Sequence, residues 1–186
     1  MKRVFIAGLL GGLAVFVWGM ISWMALPWHN TTMHSLANED AIVENLRANL
    51  TTTGVFYFPG EPHSEAEMQA FTEKHKRGPL GFLVYLAEGR DPMAPMLFVR
   101  GLLLNLITAI LAAYLLSQAV DKLKTYVQRV AFVGLLGVFA ALVSHVTSWN
   151  WFYFPADYTL VMSADLVVAW IIAGLVIAWR IKPAVA

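Results

Sequence analysis

Residues 4–27 read VFIAGLLGGLAVFVWGMISWMALP, an apolar run that ends at Pro27. A run of this length matches the roughly 20 residues that carry an α-helix across about 30 Å of hydrocarbon. Three more follow, at residues 95–120, 127–149 and 159–179. Within a bilayer the backbone must satisfy its own hydrogen bonds, so each run is expected to be a helix. Across the chain 59% of residues are hydrophobic and 13% are charged, too apolar for an ordinary soluble domain. The fold class expected is an all-α membrane protein. It is a four-transmembrane-helix bundle, one integral membrane domain over 1–186, with an exoplasmic insert at 28–94 between helices 1 and 2. Lys2 and Arg3 precede the first run as they would in a secretion signal. Its apolar core is too long for one and no small-x-small cleavage site follows, so a retained span is expected.

Orientation follows from lysine and arginine. Lys2 and Arg3, then Lys122, Lys124 and Arg129, then Arg180 and Lys182 all fall on one side of four spans. That side is read as the cytoplasm, with both termini on it. The other side holds 28–94, with nine acidic and five basic residues, and a short loop at 150–158 with no base. The expected location is the bacterial inner (plasma) membrane, with the insert periplasmic or extracellular. The chain has no cysteine, which removes disulfides, thiolate catalysis and zinc–thiolate sites. A net charge of +1 gives no case for nucleic acid.

The insert is too long for a plain connection and should carry its own structure. NEDAIVENLRANL, 38–50, reads as a helix capped by Asn38, with Glu39 and Asp40 in its first turn and Ile42, Val43, Leu46 and Leu50 on an apolar face. A second helix starts at Ser64, where Ser64 and Glu67 form a capping box. It closes on the basic run 74–77, followed by Gly78 and Pro79. GVFYFP (54–59) and GFLVYLA (81–87) are expected to pair as a two-stranded sheet. The rival reading places 81–87 at the membrane interface.

The tetrapeptide FYFP occurs at both 56–59 and 152–155. Both copies read as aromatic turns at the membrane–water interface, joined there by Trp28, Trp149, Trp151, Tyr153 and Tyr158. A degenerate internal duplication is the rival account.

Ionisable residues within membrane spans are costly and so informative. Arg100, His145 and Asp165 all fall roughly 6–9 Å below the outer interface, counting 1.5 Å per helical residue. Asn105 lies a turn and a half deeper than Arg100. One reading is an Arg100–Asp165 ion pair that fixes helix register, with His145 hydrogen-bonded nearby. The other is a layer that holds a ligand headgroup or passes a proton. In a third arrangement, Arg100 snorkels outward and never meets Asp165. Met24, His29, Met33 and His34 offer thioether and imidazole ligands suited to Cu(I), against the plain role of methionine as a gap filler. No phosphate loop, no His-Glu-x-x-His and no Gly-x-Ser-x-Gly is present, and no two histidines face each other from two spans as a bis-histidine haem requires.

The function expected from these residues is binding rather than catalysis, as an accessory or assembly subunit of a larger membrane complex or as a lipid-associating protein. The alternative is a small transporter or a quinone- or proton-linked protein that uses Arg100, His145 and Asp165. Exoplasmic copper handling is a second alternative. No cofactor is assigned; quinone, lipid and copper are the candidates. Membrane lipids, partner subunits or a second copy of the chain are the expected partners.

Overall fold

The structure is a computed structural model and describes residues 1–183. The sequence-based domain end at 186 lies outside the described residues. The chain forms two compact units, Met1–His34 with the segment from Met93 onward, and Ser35–Pro92.

The first unit contains α1 (Lys2–Met24) and, after the second unit, α4 (Pro95–Ala119), α5 (Tyr126–Ala141), α6 (Thr147–Phe152) and α7 (Ala156–Arg180). One π-helical turn, Leu142–Val146, joins α5 to α6, so Tyr126–Phe152 runs as one rod. Lys2–Met24, Pro95–Ala119, Tyr126–Phe152 and Ala156–Arg180 are each long and apolar enough to cross a membrane. By the length and composition of these helices the chain is a multi-pass membrane protein. The first helix stops before Pro27. Ala25 and Leu26 both donate their N–H to the Ile21 carbonyl, which tightens the last turn and releases the chain.

In the bundle α1 packs on α4 and on α7, and α5 packs on α7. The α1–α4 seam is made of small residues. A Cβ on Gly8 would fall 2.5 Å from the Ile110 Cα, and one on Gly12 would fall 2.7 Å from the Asn105 carbonyl oxygen. Lipid tails are as apolar as leucine, so helices in a membrane gain little by hiding apolar surface. Close backbone approach through small residues supplies the contact instead. Ala7, Ala109, Ala112, Ala113, Ala173 and Ala178 continue this packing around Leu116, Val133 and Ile177, all at or near complete burial. The core therefore sits toward the end of the bundle where α1 begins and α7 ends.

At that end stands Arg129, one of the cations that orient the chain in the sequence reading. It lies inside α5 and is buried. Its Nη1 donates to the Leu123 and Lys124 carbonyls at 3.2 and 3.1 Å, and its Nε donates to the Ala178 carbonyl at 3.4 Å. These carbonyls belong to helix ends and the turn between α4 and α5, where the dipole is negative and acceptors lack helical partners. A capping box between Thr125 and Gln128 opens α5 beside it.

The second unit contains α2 (Glu39–Asn49), β1 (Gly54–Phe58), α3 (Glu65–Arg77) and β2 (Gly81–Tyr85). The strands pair antiparallel, Gly54 opposite Tyr85 and Phe58 opposite Gly81, as the expected sheet. Ser64 caps α3 by accepting from the Glu67 N–H, while Glu67 accepts from the His63 N–H at 2.8 Å. Asn38 holds the cap position of α2 but makes no side-chain cap bond. No residue of 35–92 is buried. The two FYFP copies differ in conformation. Phe56–Phe58 lie in β1, whereas Phe152 ends α6 and Tyr153 turns into the left-handed region at φ 57°.

Gly12→Ala is expected to cost about 1–3 kcal/mol, because its new methyl meets backbone that can yield only if α1 and α4 separate. Gly19→Ala meets nothing within 4 Å. It should be neutral or stabilising by up to about 1 kcal/mol through helix propensity. Thermal melts of the two variants in one detergent decide it; equal melting temperatures would show that the seam is loose.

Candidate functional site

Asp165 is the only carboxylate within the four apolar runs. The helix α7 carries it into the bundle, where it must find donors or be protonated. Its donors come from α1. Trp18 and Ser22 are four residues apart and so share one face of that helix. Trp18 Nε1 donates to Asp165 Oδ1 at 2.7 Å, and Ser22 Oγ donates to the same oxygen at 2.8 Å. Trp28 Nε1 in turn donates to Ser22 Oγ at 3.0 Å.

The remaining member arrives by a reversal of the chain. Pro27 cannot continue α1, and a 3₁₀ turn at His29–Thr31 folds back over it. Thr31 and Thr32 pin this turn by donating to the Trp28 and His29 carbonyls at 2.7 and 3.1 Å. His29 thereby becomes 2% exposed. Its ring stacks on Trp23 at 3.9 Å between centroids and meets Trp28 edge-on at 5.5 Å. His29 Nε2 lies 3.0 Å from Ser22 Oγ and 3.5 Å from Asp165 Oδ2.

The proton positions follow from donor counting. The Ser22 hydroxyl hydrogen points at Asp165 Oδ1, to which it donates. Ser22 Oγ then accepts from Trp28 and from His29, which places a hydrogen on His29 Nε2. The other ring nitrogen, Nδ1, is buried without a hydrogen-bond partner.

Serine, histidine and aspartate are together here, but not in the order of an acyl-transfer relay. In such a relay the acid holds one imidazole nitrogen and the serine meets the other. Here both oxygens face Nε2, and Ser22 is entirely buried. The arrangement suits holding an anion and a proton, not attacking a substrate.

The sequence-derived residues divide into those near this centre and those apart from it. His145 is half-buried on the π turn, which packs on α7. The π turn widens the helix, and the Ser144, Thr147 and Ser148 hydroxyls donate to the Ala140, Leu142 and Ser144 carbonyls there. Arg100 is exposed on α4 and forms no ion pair among the described residues; Asp165 is paired across α1 and not with Arg100. Asn105 is half-buried, and its backbone serves the α1–α4 seam through the close approach of Gly12. Trp149, Trp151 and Tyr153 are exposed, and Tyr158 is half-buried against Phe154. Of the four residues read as copper ligands, only His29 is buried; Met24, Met33 and His34 are exposed. No group of three His, Asp or Glu side chains that could hold a metal ion occurs among the described residues.

Trp18 and Ser22 had a sequence signal. Ser22 is the only hydroxyl in 4–27, and it stands one turn from a tryptophan in a run otherwise without polar side chains except Trp23. The reversal at Pro27 that recruits Trp28 and His29 had none. No family model matches the chain, and no curated protein or solved structure shows significant similarity to it. The geometry alone therefore carries the functional reading.

Asp165→Ala strands the Trp18 and Ser22 donors, at a cost of about 1–3 kcal/mol for each that stays buried. Amide hydrogen exchange over 28–34 should accelerate by about tenfold or more, the equivalent of that range. Asp165→Asn keeps an acceptor for Trp18 and Ser22 and should accelerate it much less. Unchanged exchange in both variants would show that the carboxylate does not hold the reversal.

Proposed function

We propose that this chain is a small multi-pass protein of the bacterial inner membrane that acts by binding, as an accessory or assembly subunit of a larger membrane complex or as a lipid-associating protein. In this reading both termini are cytoplasmic and 28–94 faces the periplasm. The observation that supports it most is the state of Ser35–Pro92. That unit folds two helices and a sheet without burying one residue. Both faces of its sheet are apolar. Phe56, Leu83 and Tyr85 are half-buried, while Val55, Phe82 and Val84 are exposed, Val84 at 72%. A groove of about 480 Å³ runs between α2 and the sheet, lined by Ile42, Leu46, Leu50, Phe56, Phe58 and Leu83 among others. Small domains are hard to stabilise on their own, and contiguous exposed apolar surface marks interaction sites. A partner subunit, or a second copy, supplies the missing cover.

The Asp165 centre supports a second reading, a proton-linked or quinone-linked small transporter. A carboxylate, a buried imidazole with one unpartnered nitrogen, and a second histidine on the π turn that packs on α7 are the parts a proton site needs. Arg100 takes no part in this version.

Native mass spectrometry of the chain extracted with its membrane is expected to show a stoichiometric partner or a defined self-oligomer. Val55→Asp with Val84→Asp should release it while the melting temperature of the bundle stays put. A strictly monomeric chain that is indifferent to both substitutions defeats the binding reading. For the second reading, proteoliposomes holding a pH-sensitive dye should show proton flux with the wild type and none with Asp165→Asn; no flux with the wild type ends it.

A further inference from the structure

We propose that the hollow between the first turn of α1 and the last turn of α7 is a binding site for a phosphate-bearing anionic headgroup. Arg3, Trp179, Arg180 and Lys182 line it, and it encloses about 300 Å³. That is the lower end of the range for small-molecule sites. No carboxylate is among its lining residues that the structure describes. None of the three cations is in an ion pair among the described residues. Three like charges facing one space repel each other unless an anion occupies it.

The walls are held in place. Arg3 stands on α1 and Arg180 closes α7, and those two helices pack on each other. The Arg180 guanidinium carbon lies 5.4 Å from the centre of the Trp179 ring, a cation–π contact that orders the fork. A guanidinium fork matches two phosphate oxygens at once, and lysine adds a compact point charge. Lys122 and Lys124 lie at the same end of the bundle, on the turn from α4 to α5, and take no part in the hollow. Charges placed only to orient the chain have no reason to converge.

The position favours a phospholipid over a free phosphate. Arg3 is followed directly by Val4 and Phe5. These line an apolar groove of about 320 Å³ with Met1, Ile107, Ile110 and Leu111. A headgroup on Arg3 thus has a place for an acyl chain within a turn of helix. Basic pockets between membrane helices take anionic headgroups by this combination. The inference rests on the reading of the chain as a membrane-embedded binding protein and supplies its ligand class.

The test uses the full chain in nanodiscs of phosphatidylcholine doped with phosphatidylglycerol, with native mass spectrometry of the lipids that stay bound. Preferential retention of phosphatidylglycerol is expected. Arg3→Gln with Lys182→Gln should weaken it by about fivefold per cation removed. Lys122→Gln with Lys124→Gln removes the same charge outside the hollow and should leave retention unchanged. Displacement of the lipid by added inorganic phosphate would support the anion site with free phosphate as its ligand. Equal losses in the two double variants, or no preference in the wild type, overturn it. Alkaline carbonate extraction separates the two failures. A chain that leaves the membrane refutes the embedded reading itself, whereas one that stays without preferring phosphatidylglycerol refutes only the site.

Discussion

A single carboxylate inside an apolar bundle has to be satisfied by donors from its own protein, and much of the architecture around Asp165 answers that constraint. Water does not reach such a depth cheaply, and an unpaired anion there is far more costly than a paired one. Trp18 and Ser22 on one face of α1 answer it directly. Ser22 is polar and fully buried, so the rest of its bonding must be completed, which brings in Trp28 and then His29. The reversal of the chain after Pro27 follows from this cascade. It also explains why residues 28–34 belong with the helices and not with the insert they lead into.

The two ends of the bundle are built by different means. Where α1 begins and α7 ends, glycine and alanine let backbones touch, and Arg129 ties helix termini together through carbonyls. That end is dense, and Arg129 is the one cation buried there among the described residues. Toward the other end the packing gives way to hydrogen bonds among indoles, a serine, an imidazole and a carboxylate. Dispersion contacts fix distance between helices but tolerate rotation, whereas hydrogen bonds fix rotation. The combination holds α1 against α7 in one register.

The insert follows a third principle. Its local signals are strong: Ser64 and Glu67 cap a helix, glycine and proline close it, and two β-prone segments pair. Local signals were enough to read these elements from the amino acids. They were not enough to give the unit a core: across the 58 residues from Ser35 to Pro92 the apolar side chains lie on open faces and none is buried. Asn38 shows the limit of such signals from another side, since it occupies a cap position without making the cap bond.

By itself the sequence determined four long apolar helices, each end to within about three residues, and the place of the insert between the first and second. Length and hydropathy are enough for that, since the bilayer demands helices and only helices of one length fit. The partner of Asp165 was decided by tertiary structure alone. Arg100 stood at a matching depth and offered the better ion pair on charge, yet it is exposed on α4 and the carboxylate faces α1. Depth is legible in a membrane sequence, but rotation is not. Every face of these helices is apolar whether it meets lipid or another helix, so periodicity carries no mark of which way a side chain points. That direction is set by the hydrogen bonds from Trp18 and Ser22 and by the turn at Pro27, both properties of the assembled bundle.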